Sequence, residues 1–126
     1  MALDAESLKI PNLHSKYLAW WNEEKLNSKR HTQEYKQLYK LKWEYYSGKL
    51  SDEDLESLGW EQFHLKILRQ DLNVYLEGDK DLCELESKID YTKQKVEFLE
   101  NIIKQIVGRG YLIKNAIDFM RFQTGA

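Results

Sequence analysis

The feature that most constrains this chain is a long run of apolar residues spaced alternately three and four apart. Of the twelve positions between Leu82 and Met120 that follow this spacing, ten are apolar, and the flanking positions are rich in Lys, Glu and Gln. Such a heptad pattern is typical of a helix that packs along its whole length against other helices. We therefore predict a helix over 79–124, with Asp79 as its candidate N-cap. Within it, Gly108 and Gly110 mark a kink or a tight approach between helices.

The heptad residues either fold back on an earlier helix of the same chain or contact other copies of the chain. We favour self-association over an ordinary antiparallel hairpin, because the core of a 126-residue chain is small and oligomerisation often supplements it. Isoleucine at both core positions of a heptad favours assemblies larger than dimers. The predicted oligomerisation residues are Leu85, Ile89, Val96, Leu99, Ile103, Ile106, Ile113, Ile117 and Met120.

The rest of the chain also predicts helices, because it contains a single proline and six glycines. Pro11 predicts a flexible N-terminus over 1–11, followed by a helix over 13–47 that ends at Gly48. The segment 49–59 reads as an acidic linker with a short helix capped by Ser51, and 60–77 as a further helix. We expect one all-α domain over 1–126, with long N- and C-terminal helices and short helices between them.

Charge is segregated along the chain although the net charge is only −2. Residues 9–49 carry nine Lys or Arg and four Asp or Glu. Residues 50–90 carry four Lys or Arg and twelve Asp or Glu. Residues 91–126 are again mildly basic, with six Lys or Arg and three Asp or Glu. Such asymmetry indicates either a polyanionic partner or head-to-tail self-association, and a solvated helix face beside an acidic loop is the simpler alternative.

The basic part of the chain combines lysines with aromatic residues at helical spacing. Lys29, Lys36 and Lys40 fall on one face of the predicted helix, and Lys42 follows. Basic side chains neutralise phosphates, and aromatic faces stack on unpaired bases, so this combination suits single-stranded nucleic acid. The alternative is a core stripe of Tyr35, Tyr39 and Trp43 with solvated lysines. The candidate binding residues are Lys29, Lys36, Lys40, Lys42 and Trp43.

Motifs for catalysis, cofactors and metals are missing from the sequence. The chain has no phosphate-binding loop of the P-loop type, its three histidines are scattered, and its acidic residues lack the spacing of a calcium loop. We expect no enzyme activity, no cofactor and no metal. One cysteine excludes an intrachain disulfide and favours a reducing compartment. We also expect no secretory signal and no membrane span.

Three blocks of sequence resemble a known family in the same order. Residues 13–48, LHSKYLAWWNEEKLNSKRHTQEYKQLYKLKWEYYSG, contain an S-K-aromatic-L start and an E-Y-Y-S-G ending. Residues 76–82, LEGDKDL, contain a D-K-D turn, and residues 108–126, GRGYLIKNAIDFMRFQTGA, contain an R-G-aromatic-x-I-K motif. Together they resemble the UvsY family of phage recombination mediators. Residues 49–60 do not resemble the family closely, and the N-terminal extension is shorter than expected for the family.

The resemblance implies a protein that is not an enzyme and that acts in phage DNA recombination, repair and replication in the cytoplasm of the infected bacterial host. It implies a ring-like homo-oligomer, hexameric or heptameric, assembled through the C-terminal helical region. Its partners would be single-stranded DNA, a single-strand-binding protein and a RecA-like recombinase whose filament it helps to nucleate. The basic pair of the family falls on Lys40 and Lys42, where the second position is commonly Arg.

Two other functions compete with this reading. One is a helical oligomeric scaffold or adaptor that binds only proteins, in which the lysine face would not need to be basic. The other is a small regulator of duplex DNA, which is disfavoured because no short helix pair precedes a basic recognition helix.

Overall fold

The computed structural model describes residues 2–125, with side chains from Lys9 onward, and this part of the chain is all-α. Helix α1 spans Ala2–Tyr46, α2 Asp52–Leu58, α3 Leu72–Glu77 and α4 Lys80–Gln123. A 3₁₀ turn over Arg69–Asp71 precedes α3. The prediction of an all-α fold with long N- and C-terminal helices is confirmed. None of the helices in this part of the chain is long and apolar enough to cross a membrane.

The N-terminal helix is longer than the sequence predicted. The prediction that residues 1–11 form a flexible N-terminus is wrong from Ala2 onward, because α1 passes through Pro11 without a break. Proline removes one backbone hydrogen bond, but the surrounding Ala, Leu, Glu and Lys residues favour a helix. Ile10 also packs against α4, since a methyl group placed on Gly110 would lie 3.4 Å from its Cγ2 atom.

The predicted helix over 60–77 is helical only from Arg69 onward, and residues 60–68 have no regular secondary structure. Aromatic packing explains the difference. The Phe63 ring lies 5.1 Å from that of Tyr46, at 90°, and 5.6 Å from that of Tyr75. The Tyr45 hydroxyl donates a hydrogen bond to the carbonyl oxygen of Glu61, which takes that oxygen away from a helical partner.

The capping residues behave as the sequence predicted. The Ser51 hydroxyl accepts a hydrogen bond of 3.2 Å from the backbone N–H of Asp54 and caps α2. Asp79 caps α4, because its Oδ1 atom accepts a hydrogen bond of 3.0 Å from the backbone N–H of Leu82. The helix continues through Gly108 and Gly110 without interruption, and the close approach of Ile10 at Gly110 agrees with the tight approach expected there.

The chain divides into two compact units, and one of them is Ser28–Asp90. Its core consists of Leu72, Leu76 and Leu82, all at most 5 % exposed. Half-buried side chains from the second half of α1 and from residue 67 pack against this core; they are Tyr35, Leu38, Trp43, Tyr46 and Ile67. Leu55 of α2 and Ile89 of α4 are also buried. The aromatic-rich end of α1 is therefore part of a folded core.

The other unit combines the chain up to Asn27 with the chain from Tyr91 onward. Here α1 and α4 run antiparallel, since the Trp21 indole N–H donates a 3.2 Å hydrogen bond to Glu100, and Glu24 lies 3.9 Å from Lys95. Leu99 is 2 % and Ile113 8 % exposed. The two helices thus bury an apolar strip between them within one chain.

The heptad residues are largely buried within their own chain. All nine predicted oligomerisation residues are buried or half-buried, and Ile89, Leu99 and Ile113 are the most buried. This favours, for Ile89, Leu99 and Ile113, the alternative in which the heptad residues pack within the chain, and a role of the nine residues between copies stays a prediction. The physical reason is that α1 begins at Ala2, so that in each unit a part of α1 is available to pack against a part of α4.

Candidate nucleic-acid interface

Three of the predicted DNA-binding lysines form an exposed face on α1, which we call the lysine face. Lys29, Lys36 and Lys40 all belong to the Ser28–Asp90 unit and are exposed. Steps of seven and four place them on the same side of the helix. Within the described part of the chain, their ammonium groups form no ion pair with a carboxylate. The lysine face therefore offers three cations to an anionic ligand.

Lys42 does not belong to this face, although the sequence made it a candidate DNA-binding residue. It is only 6 % exposed, and its ammonium nitrogen lies 2.8 Å from Asp81 and 3.2 Å from Asp79. The same nitrogen lies 4.2 Å above the Trp60 ring. Two carboxylates and an aromatic ring already surround the charge, so the expectation of an exposed phosphate-binding cation at Lys42 is wrong.

Asp79 is the centre of this buried arrangement. Its Oδ2 atom accepts a 2.6 Å hydrogen bond from the Tyr46 hydroxyl and contacts Lys42, while Oδ1 caps α4. Burial raises the pKa of the Asp79 carboxyl, but the bonds from Tyr46, from the Leu82 backbone and from Lys42 outweigh it and hold the pKa below its usual range. Asp79 thus joins the end of α1 to the start of α4.

The partners of Asp79 show the same coupling. Burial lowers the pKa of Lys42, but its hydrogen bonds to Asp81 and Asp79 more than compensate, so the pKa is raised. Burial and the hydrogen bond to Asp79 both raise the pKa of Tyr46. All three groups therefore keep the ionisation states in which they bind one another at neutral pH.

Trp43 is half-buried and packs against the core of the Ser28–Asp90 unit. The ammonium nitrogen of Lys49 lies 4.4 Å above its ring. Trp43 thus combines the two roles that the sequence left open, since it contributes to the core and also carries a cation on its ring. Its contact with DNA stays a prediction.

The tyrosines of the predicted aromatic stripe divide between core and surface. Tyr35 is half-buried, and its hydroxyl donates a 2.8 Å hydrogen bond to Glu86. Burial and this bond raise the pKa of Tyr35 to about 12. The ring of Tyr39 lies 6.1 Å from that of Tyr35 and is 39 % exposed. Of the two, Tyr39 is the one beside the lysine face with an accessible ring.

Sequence reasoning missed an exposed apolar stripe on α4, which we call the outer stripe. It consists of Tyr91, Phe98, Leu112 and Phe119, each at least 60 % exposed. These residues are separated by seven or fourteen positions, so they lie along one side of the helix in the unit that contains the chain ends. Their own seven-residue spacing was the signal that could have found them beside the stronger heptad pattern.

The described residues contain no cluster of three or more His, Cys, Asp or Glu side chains arranged to hold a metal ion.

Solved structures of one phage protein share this fold. A crystal structure of the recombination mediator protein UvsY of bacteriophage T4, in lattice type IV, matches with a TM-score of 0.77 and 24 % identity. The match covers 96 % of this chain and 85 % of that one. A second crystal form, lattice type II, matches with a TM-score of 0.76 and 24 % identity over 97 % and 84 % of the two chains. A search of curated proteins gave no match.

The sequence itself matches a family model over residues 1–126. That family is described as "Recombination, repair and ssDNA binding protein UvsY". The match spans the lysine face, the Asp79 arrangement and both long helices, and it agrees with the fold shared with the T4 structures. The chain therefore belongs to the UvsY family.

Proposed function

We propose that this protein is a non-enzymatic recombination mediator that binds single-stranded DNA as a ring-like homo-oligomer. In this role it helps a RecA-like recombinase to load onto DNA that is covered by a single-strand-binding protein. The description of the family as recombination, repair and ssDNA-binding proteins supports the general role. The site of action we propose is the cytoplasm of the infected bacterial host.

The observation that carries the proposal is the lysine face of α1. Lys29, Lys36 and Lys40 are exposed, share one side of the helix and lack carboxylate partners among the described residues. Phosphate contacts of this kind give affinity without sequence preference and fall with salt. Tyr39, exposed in the same region, supplies a ring on which a base can stack.

Assembly into a hexamer or heptamer would repeat the lysine face around one edge of the ring. A single face of three lysines binds weakly, whereas a set of linked faces raises the effective concentration of sites for one long strand. Since the heptad residues are buried or half-buried within the chain, we assign the contact between copies to the outer stripe, whose exposed Phe98 and Leu112 gain most from burial.

The proposed mechanism follows from this geometry. A ring of lysine faces holds an extended strand in a shape from which the single-strand-binding protein is released and on which the recombinase can nucleate. Buried Lys42 takes no part in this contact, and it positions the end of α1 instead.

The competing function is a scaffold that assembles through the outer stripe and binds only proteins. The observation in its favour is the stripe itself, because an exposed apolar surface of this length marks a protein interface. The two functions differ in what they require of the lysine face, so a change at that face separates them.

The test is a double variant, Lys36→Ala with Lys40→Ala, titrated with a fluorescent oligo(dT) at several salt concentrations. Losing two phosphate contacts should weaken binding and make the slope of log affinity against log salt shallower by about 1.4. The matched control is Lys93→Ala with Lys104→Ala, which removes two exposed lysines from α4. Equal binding by both double variants and the parent would remove the lysine face from the site, and a parent that ignores DNA would favour the scaffold.

A further inference from the structure

The Ser28–Asp90 unit contains a cavity of about 770 Å³ at the C-terminal end of α1. The irregular segment 60–68 forms its other side. This volume falls within the range of about 300–1,000 Å³ that is typical of pockets for small ligands. Three aromatic and three cationic side chains contribute to its lining, namely Trp43, Tyr46, Phe63, Lys49, Lys66 and Arg69.

The charge of this cavity is opposite to that of the segment around it. Residues 50–90 carry twelve acidic and four basic side chains, yet two of the four basic ones, Lys66 and Arg69, line the cavity. None of the lining residues is an Asp or Glu. Lys66 and Arg69 are exposed and form no ion pair with another described residue. The cavity therefore attracts an anion.

The aromatic rings that line the cavity are fixed by packing against other side chains of the unit. Phe63 packs edge-on against Tyr46 at 5.1 Å and against Tyr75 at 5.6 Å, so its ring has little freedom to turn. Trp43 packs on the core formed by Leu72, Leu76 and Leu82. Flat rings of fixed orientation next to cations suit a ligand that has both a planar ring and a negative charge.

We propose that this cavity binds one nucleotide of single-stranded DNA, with its base against Phe63, beside the Trp43 ring that already carries the Lys49 ammonium group, and its flanking phosphates at Lys66 and Arg69. The inference rests on the proposed function and adds a second contact to the lysine face of the same unit. An acidic protein segment would satisfy the cations, but its carboxylates would not use the aromatic rings. A nucleotide uses both features of the cavity.

The test is the double variant Lys66→Ala with Arg69→Ala, compared with the parent, with the lysine-face variant and with the Lys93→Ala, Lys104→Ala control. Both cavity residues are exposed, so the fold should survive, and circular dichroism verifies it. With fluorescent oligo(dT), we expect binding that is weaker by about tenfold and a salt slope shallower by about 1.4. An oligonucleotide that contains 5-iodouracil should crosslink to peptides containing Trp43 or Phe63.

The results distinguish failure of the inference about the cavity from failure of the proposed function. If the parent binds DNA and the lysine-face variant is weakened while the cavity variant is not, the inference about the cavity fails and the proposed function stands. If the parent does not bind DNA, both fail. If the cavity variant keeps its DNA affinity but loses affinity for a polyglutamate peptide, the cavity serves an acidic protein segment and the nucleotide is overturned.

Discussion

Lys40 and Lys42 are two residues apart on the same helix, and they lie in opposite environments. Lys40 is exposed, whereas Lys42 is 6 % exposed and lies between Asp79, Asp81 and the Trp60 ring. A step of two residues on a helix turns the side chain by more than a right angle, so neighbours in sequence reach different faces. The comparison teaches that a basic stretch of sequence is not by itself a basic surface.

Adjacent apolar residues of α4 differ in exposure in the same way. Phe98 is 63 % exposed, while the adjacent Leu99 is 2 % exposed. The inner side of α4 packs within its own chain, and the outer side is exposed. In both long helices, the buried side holds the fold and the exposed side carries the proposed function.

The largest effect should come from removing the buried cation. We expect Lys42→Ala to lower the free energy of unfolding by about 3–5 kcal/mol, because it leaves the Asp79 carboxylate buried without its cation. Lys40→Ala, the matched control, should change it by no more than about 0.5 kcal/mol, as exposed substitutions do. Urea unfolding monitored by circular dichroism measures both, and similar losses for the two variants would erase the distinction between the faces.

The second pair of variants sharpens the comparison on α4. Leu99→Ala should cost about 2–5 kcal/mol of stability, because it opens a cavity between packed helices. Phe98→Ala should leave monomer stability within about 0.5 kcal/mol but reduce the molar mass in light scattering, since it removes an exposed ring of the outer stripe. An unchanged mass for Phe98→Ala, with the mass lost only in Leu99→Ala, would place the contact between copies elsewhere.

The smallest effect concerns pH and again separates buried from exposed charge. The pKa of Asp79 is lowered in the fold, so its carboxylate contributes stability above the unfolded pKa of about 3.9, and this stability is lost as the pH falls through the folded pKa. The pKa of Tyr46 is raised, so its contribution is complete below about pH 10 and is lost as the pH rises through the folded pKa.

The measurement is the urea midpoint as a function of pH for the parent, Asp79→Asn and Asp118→Asn. We expect Asp79→Asn to flatten the decline on the acid side, because the group that titrates is gone. Asp118 is exposed on α4, so its variant should follow the parent curve. Acid curves that coincide for all three proteins would show that Asp79 does not dominate acid unfolding.

Periodicity was enough to predict much of the fold. The heptad spacing predicted 79–124, and α4 is Lys80–Gln123. Ser51 and Asp79 were recognisable caps because a side-chain acceptor placed before a helix satisfies a free backbone N–H. The lysine face also follows from spacing alone, since steps of seven and four return to one side of a helix.

The rest depended on contacts between residues far apart in sequence. The environment of Lys42 is set by Asp79 and Asp81, which are nearly forty positions away in sequence. No local sequence pattern predicts these two contacts. The loss of helix over 60–68 follows from packing of Phe63 on Tyr46 and Tyr75, which overrides local propensity. Whether the heptad face packs within the chain depended on how long α1 is. Pro11 made the sequence predict a shorter helix than the one observed.

The most direct test of the central claim, that the exposed sides of the long helices assemble the protein and bind DNA, is the light-scattering mass of the purified protein with and without oligo(dT), at low and high salt. We expect a mass of several times the 15.1 kDa protomer that rises further with DNA at low salt and returns to the DNA-free value at high salt. A mass of one protomer that does not change with DNA would contradict the account.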